Sequence, residues 1–256
     1  MNNSAADLRY VDALLNYTAE PAKAGRRVVA VYDARPLAAS LSLDVEGFVL
    51  KRNTSAVTNF YDPAEVRSVY YPEVEQLVKE ATGAVRVVAF EHDVRCAAKA
   101  GQGGVRTPVK AVHDDYTEKS SPDRARLYLG DEAEKLLKSR YELVNVWRPV
   151  SGPVLESPLA VCDARSIAPQ DVVPTEQGVK HEVYLFSFST RHRWFYFPRM
   201  DKDETLLIKC FDSLNDGRAR LTAHTAFDDP TTPANAPPRE SIEVRTLAFF
   251  AAPGEA

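Results

Sequence analysis

The run Val109-Lys110-Ala111-Val112-His113-Asp114-Asp115-Tyr116 decides how the chain is to be read. It reads as extended chain, in which residues i and i+2 point to the same face. His113 and Asp115 then project together, and Asp114 turns to the opposite side. Short runs of the same kind, separated by turn residues, recur at Arg27 to Tyr32, Gly47 to Lys51, Val85 to Phe90, Leu143 to Trp147 and Leu159 to Asp163. They continue at His181 to Ser187, Trp194 to Phe197, Thr205 to Phe211, Arg220 to Phe227 and Ser241 to Phe250. Helical spacing is convincing in two places only. Val74 to Ala81 follows Pro72 and meets a stop at Gly83; Pro122 to Lys138 carries Leu127, Ala133, Leu136 and Leu137 on one side, with a possible break at Gly130. Strands outnumber helices without a βαβα alternation, so the pattern predicts a mainly β fold, a sandwich or barrel with helices packed outside.

The 256 residues carry 32 Lys+Arg against 36 Asp+Glu, a formal charge of −4, and 45% are apolar. That balance excludes a general affinity for phosphate backbones, and the short cluster Arg191-His192-Arg193 does not change it. No apolar stretch is long enough to cross a membrane, and Met1 to Arg9 lacks the pattern of a signal peptide, so a cytoplasmic protein with no nucleic-acid or membrane partner is expected. Cys96, Cys162 and Cys210 are far apart with no C-x-x-C spacing, and read as packing residues in a reducing compartment. No glycine-rich phosphate loop and no internal repeat is present. Lys99 to Thr107 and the proline-rich Asp228 to Pro238 read as loops, and no linker divides the chain.

An imidazole and a carboxylate on one strand face are two thirds of the facial triad that binds non-haem iron(II). His224, in Leu221-Thr222-Ala223-His224-Thr225-Ala226-Phe227, is the candidate for the third ligand. Downstream, Arg239 and Ser241 share a strand face, where a guanidinium fork and a hydroxyl suit the distal carboxylate of a dicarboxylate.

The order His-x-Asp, distal His, Arg-x-Ser resembles the iron(II)/2-oxoglutarate-dependent oxygenases. A closer resemblance lies in Asn145-Val146-Trp147-Arg148-Pro149, Pro158-Leu159-Ala160-Val161-Cys162-Asp163-Ala164-Arg165-Ser166, Trp194-Phe195-Tyr196-Phe197-Pro198, Leu206-Leu207-Ile208-Lys209-Cys210-Phe211-Asp212-Ser213 and His224-Thr225-Ala226-Phe227. These stretches are similar to the family that includes the fungal gibberellin desaturase, the hydroxylase/desaturase enzymes of fungal secondary-metabolite clusters and a component of cephamycin hydroxylation. The similarity spans roughly Val85 to Phe250. It implies a double-stranded β-helix (jelly-roll, cupin-like) core over residues 85–250 with flanking α-helices, and an N-terminal extension, residues 1–84, packed on that core in a single domain.

The same resemblance implies an enzyme that uses Fe(II), 2-oxoglutarate and O2 to hydroxylate, desaturate or cyclise a small molecule of specialised metabolism. His113, Asp115 and His224 would hold the metal, and Arg239 with Ser241 the cosubstrate. Fourteen residues separate His224 from Arg239, more than is common in related oxygenases, so Arg245, on the same strand face as Arg239, is a rival anchor. Asn145 and Arg148 are further candidates for contact with the cosubstrate. His92, Arg95 and Lys209 are candidates for the substrate pocket, the last because a lysine in an apolar strand is costly to bury without a partner. His181 and His192 sit among charged residues and are expected to face water. The arginines favour an acidic, carboxylate-bearing or amino-acid-like substrate. Two other readings use the same ligands or scaffold: a divalent-metal hydrolase or isomerase, and a non-catalytic binding protein.

Overall fold

Alternation along the strands sorts this sequence into layers. The structure, a computed structural model, describes residues 8–19, 25–177 and 182–251. Among them, thirteen strands form two sheets. The larger has eight strands in the spatial order β1 (Tyr10–Tyr17), β2 (Gly25–Asp33), β10 (Trp194–Tyr196), β7 (Leu159–Cys162), β12 (His224–Ala226), β5 (His113–Asp114), β9 (Glu182–Phe186) and β8 (Val172–Glu176). The smaller has five: β3 (Phe48–Arg52), β11 (Glu204–Asp212), β6 (Tyr141–Pro149), β13 (Ser241–Phe249) and β4 (Arg86–Arg95). Neighbours are antiparallel except β10 beside β2.

Odd residues of β7 and β10, Leu159, Val161 and Phe195, meet Leu143 and Trp147 of β6, Leu206 and Ile208 of β11, and Leu247 and Phe249 of β13 in one core between the sheets. The intervening residues of the large sheet, Ala160, Cys162, Trp194 and Tyr196, pack outward against Leu15, Tyr17 and Val31. On the small sheet the outward residues Val144, Val146, Leu207, Ile242 and Val244 are covered by a helix. Period two thus buries both faces of both sheets.

That helix is the last part of one helical run. Asp62 accepts from the backbone of Ala64 at 2.9 Å to open α1 (Pro63–Glu65), and the run passes through residues 66–70 into α2 (Tyr71–Thr82). Val74, Leu77 and Val78, at helical spacing, are its buried stripe, each worth roughly 1.5–3 kcal/mol. Gly83, at φ 74°, ends it where the sequence reading set the stop. The second predicted helix is divided at Gly130 into α3 (Ser120–Leu129) and α4 (Ala133–Leu136), joined by a tight turn over residues 130–132.

The mainly β reading holds, and its boundaries shift for physical reasons. Only His113 and Asp114 of the run Val109 to Tyr116 are ladder residues, because the backbone beside them bonds to chain outside named pairs, Val112 N–H to Asn16 C=O at 2.9 Å and Ala226 N–H to Val109 C=O at 2.8 Å. Arg220 to Phe227 contracts likewise to His224–Ala226. Two strands were not foreseen: β1, whose Leu14 is exposed and breaks the alternation, and β8, an edge strand interrupted by Pro174. The chain before Val85 supplies β1 and β2 to one sheet and β3 to the other. No helix among the described residues is long and apolar enough to cross a membrane.

Candidate metal and cosubstrate site

His113 and His224 stand opposite each other on β5 and β12, and His224 in turn opposes Val161 of β7. Residues in register share a face, so both imidazoles point where Val161 points, into the space between the sheets. Their rings lie 4.4 Å apart, tilted by 52°. Each ring is fixed by a backbone carbonyl two residues before it: Nδ1 of His113 donates to Ala111 O at 2.8 Å, and Nδ1 of His224 to Thr222 O at 3.1 Å. Those bonds put the proton on Nδ1 and leave both Nε2 lone pairs free. Burial pushes the pKa of His113 down to about 4, with His224 adding to the effect, and burial lowers that of His224 too, so both rings are neutral at pH 7.

Asp115 completes the set, its Oδ1 3.6 Å from Nε2 of His113, and one donor atom from each of the three residues lies within 4.8 Å of the others. Its other oxygen accepts from Nδ2 of Asn145 at 2.8 Å and Nε of Arg245 at 3.0 Å. Burial opposes ionisation here, but the Arg245 guanidinium, helped by the Asn145 hydrogen bond, outweighs it and holds the carboxyl well below the usual carboxylate range. Two neutral imidazoles and a fixed carboxylate are a donor set for a divalent transition metal.

The same small cavity is lined by Arg95, Trp147, Arg239 and Glu243. Arg239, Ser241, Glu243 and Arg245 follow one another at alternate positions on the inner face of β13 and the residue run leading into it. Arg239 packs over Trp147 and donates Nη1 to the carbonyl of Ser157, while its Nε and the hydroxyl of Ser241 are buried with no partner among the described residues. Burial, with the nearby Arg95, lowers the Arg239 pKa to about 10, still a cation at neutral pH. A buried cation and hydroxyl with unused donors suit an incoming carboxylate.

The profile of the family described as "Oxidoreductase/YMDC permease-like domain" matches residues 8–249. The Fe(II)/2-oxoglutarate-dependent dioxygenase nvfI of Aspergillus novofumigatus is 36% identical over 231 residues, 86% of this chain and 82% of the relative. The solved structure of the iron and alpha-ketoglutarate-dependent endoperoxidase NvfI superposes with a TM-score of 0.83 at 33% identity, over 95% of this chain and 98% of the other. The chain belongs to the Fe(II)/2-oxoglutarate-dependent dioxygenases. Another relative, the hydroxylase/desaturase efuI of Hormonema carpetanum, is 32% identical over 87% of this chain and 83% of its own length.

The cofactors of this dioxygenase are therefore Fe(II), 2-oxoglutarate and O2. The residues present fit them: two free Nε2 lone pairs and a carboxylate for the metal, the unpartnered Arg239 Nε and Ser241 Oγ for the dicarboxylate.

The other predicted residues of the dioxygenase divide between this site and other parts of the fold. Arg245 reaches Asp115, Asp93 at 3.1 Å and Glu243 at 3.1 Å, so its guanidinium is committed to protein carboxylates. Asn145 is at the site but bonded to Asp115. Arg148 points the other way: it bonds the carbonyls of Asn53 and Lys202 and lies against the rings of Phe60 and Tyr70 on the helix-covered face. Asn145 and Arg148 are three residues apart on one strand and must face opposite sides, a point the alternation already contains. Lys209 lies away from the site, paired with Asp44, with Asp212 at 2.9 Å and with Glu142 at 3.2 Å. His92 bonds the Tyr71 hydroxyl at 2.9 Å, away from the cavity of His113 and His224, whereas Arg95 lines that cavity and bonds Asp93. His192, expected to face water, has its ring buried against Tyr17 at 2.9 Å; His181 lies outside the described residues.

Two residues have roles that the sequence does not show. Asp93 bonds Arg95, Arg106 and Arg245, and Glu243 lines the cavity itself, its pKa raised by burial against the pull of Arg245. A signal for Glu243 exists, since polar residues at 239, 241, 243 and 245 alternate with the apolar Ile242 and Val244.

Proposed function

We propose that His113, Asp115 and His224 are the iron ligands and that Arg239 with Ser241 anchors the distal carboxylate of 2-oxoglutarate, for oxidation of a small, carboxylate-bearing molecule of secondary metabolism. The observation that carries this reading is the convergence of the three donor atoms within 4.8 Å beside two buried, unpartnered donors. A metal held by these residues would supply, with 2-oxoglutarate and oxygen, the oxidising power for hydroxylation, desaturation or ring closure of the substrate. Ala111 and Thr222 fix the ring orientations, and Asn145 and Arg245 fix the carboxylate that faces them. Trp147 and Leu159 give the cavity apolar walls that exclude water. The whole chain acts as one oxygenase unit in this reading, and its three buried, free cysteines favour the cytoplasm.

Anaerobic titration with Fe(II) and then 2-oxoglutarate tests it. A weak visible charge-transfer band near ~500 nm should appear on adding the cosubstrate and should be lost in His224→Ala. Tight iron binding with no band would sink the cosubstrate assignment, and an unchanged band in His224→Ala would remove that residue from the ligand set.

A further inference from the structure

A cavity of about 410 Å³ lies along the edge strand β4, outside the cavity of His113 and His224. Its size is that of a small-molecule site. Five rings, Phe60, Tyr61, Tyr71, Phe90 and Tyr128, line it, with Phe90 and Tyr128 tilted by 36° at a centroid distance of 4.7 Å. Most of its polar groups are already engaged within the protein. Arg106 is bonded to Asp93, Glu91 lies 3.8 Å from Arg245, and His92 is bonded to Tyr71. Arg67, on the helical run between α1 and α2, has no ion pair among the described residues and stands exposed at the cavity. Ring faces for stacking and one uncommitted guanidinium select a flat, cyclic molecule that carries an acidic oxygen.

Asp93 links the lining of this cavity to that of the cavity holding His113 and His224. Asp93 is bonded at 3.0 Å to Arg95, which lines the cavity of the two histidines, and at 3.2 Å to Arg106, which lines the larger one. Arg106 is 63% exposed and follows the glycines of the loop after β4. A molecule against Asp93 lies one ion pair away from Arg95, which lines the cavity of His113 and His224.

We propose that this cavity binds the ring-bearing part of the substrate, with an acidic oxygen against Arg67. The role as substrate site rests on the oxygenase reading; the binding does not. A smaller, amino-acid-like substrate would leave most of the aromatic surface uncovered.

The test uses the full chain without iron or 2-oxoglutarate, titrated with 9-anthracenecarboxylate and, in parallel, with the neutral 9-anthracenemethanol, following probe fluorescence. One saturable site is expected. Arg67→Gln should weaken the carboxylate roughly three- to tenfold, the range for an ion pair between exposed and buried, and leave the alcohol unchanged. Tyr128→Ala should weaken both probes. Both substitutions lie at the surface and leave the core intact. Absence of saturable binding, or wild-type affinity in both variants, overturns the proposal. An effect of Tyr128→Ala alone overturns the acidic ligand. Failure of the Fe(II)–2-oxoglutarate band, with these results standing, would instead count against the oxygenase reading.

Discussion

Arg245 donates its Nε to Oδ2 of Asp115 at 3.0 Å while its other nitrogens reach Asp93 and Glu243, both at 3.1 Å. The guanidinium is thus a bracket that fixes the carboxylate facing His113 and His224. Arg239, on the run that leads into the same strand, keeps a buried Nε without a partner among the described residues. Two arginines that sequence alone leaves as rivals are separated by what each already holds.

Their substitutions should separate in the same way. Arg239→Gln should raise the 2-oxoglutarate requirement on the order of 100-fold with iron affinity kept, since on the proposed assignment it removes a charge-assisted contact to the distal carboxylate. Arg245→Gln should weaken iron retention about 10- to 100-fold, the effect expected for losing the outer partner of Asp115 if that carboxylate is a ligand as proposed. Equilibrium dialysis of iron and the cosubstrate dependence of succinate formation read the two independently. The reverse pattern would return the anchor to Arg245.

Lys209 gives a contrast between burial and function. Its ammonium is fully buried among Asp44, Glu142 and Asp212. Lys209→Met should cost about 3 kcal/mol in urea unfolding, because Glu142 and Asp212 lose a buried partner and keep only Arg140. The Fe(II)–2-oxoglutarate absorption should be unchanged. A stable variant with altered absorption would instead restore Lys209 to the site.

The same cluster predicts a pH dependence. Burial pushes the carboxyl of Glu142 up to about 7, against the pull of Lys209 and with the push of Asp212. An unfolded glutamate ionises near ~4.3, so between there and pH 7 the folded chain holds a proton that the unfolded chain releases. Stability from this group is complete below that window and falls as pH rises through it, by an amount on the order of 2 kcal/mol. Asp44 and Asp212, whose pKa values are lowered, act only below pH 4. Urea midpoints of wild type and Glu142→Gln, compared from pH 5 to 8, should diverge with the wild type losing ground as pH rises. Parallel curves would contradict it.

Period-two alternation made the two-sheet fold and the pairing of His113 with Asp115 legible, because both depend only on which face a residue takes. The cross-strand partner of β5 is a matter of long-range register, and His224 was reached through the order of motifs rather than through pairing. Lys209 and Arg148 misled for one reason: an isolated cation in an apolar strand looks functional until its partners, Asp44 in one case and the carbonyls of Asn53 and Lys202 in the other, arrive from distant chain. The pairing of Asp93 was not legible because its partner Arg245 lies 152 residues away.

The backbone behind His224 offers the last prediction. Gly47 sits at φ 88°, and a Cβ there would overlap the hydroxyl of Thr222, which donates to the Gly47 carbonyl at 3.0 Å. Thr222 also supplies the carbonyl that orients His224. Gly47→Ala therefore carries two separable penalties, about 1–2 kcal/mol of left-handed backbone strain and a displacement of Thr222 that turns the imidazole. Unfolding stability should fall and iron affinity should fall with it, although residue 47 is not a ligand. Adding Thr222→Ala removes the overlapping hydroxyl but not the strain, so iron affinity should recover while stability does not. If the double variant binds iron as poorly as Gly47→Ala, the orientation of His224 does not pass through this contact.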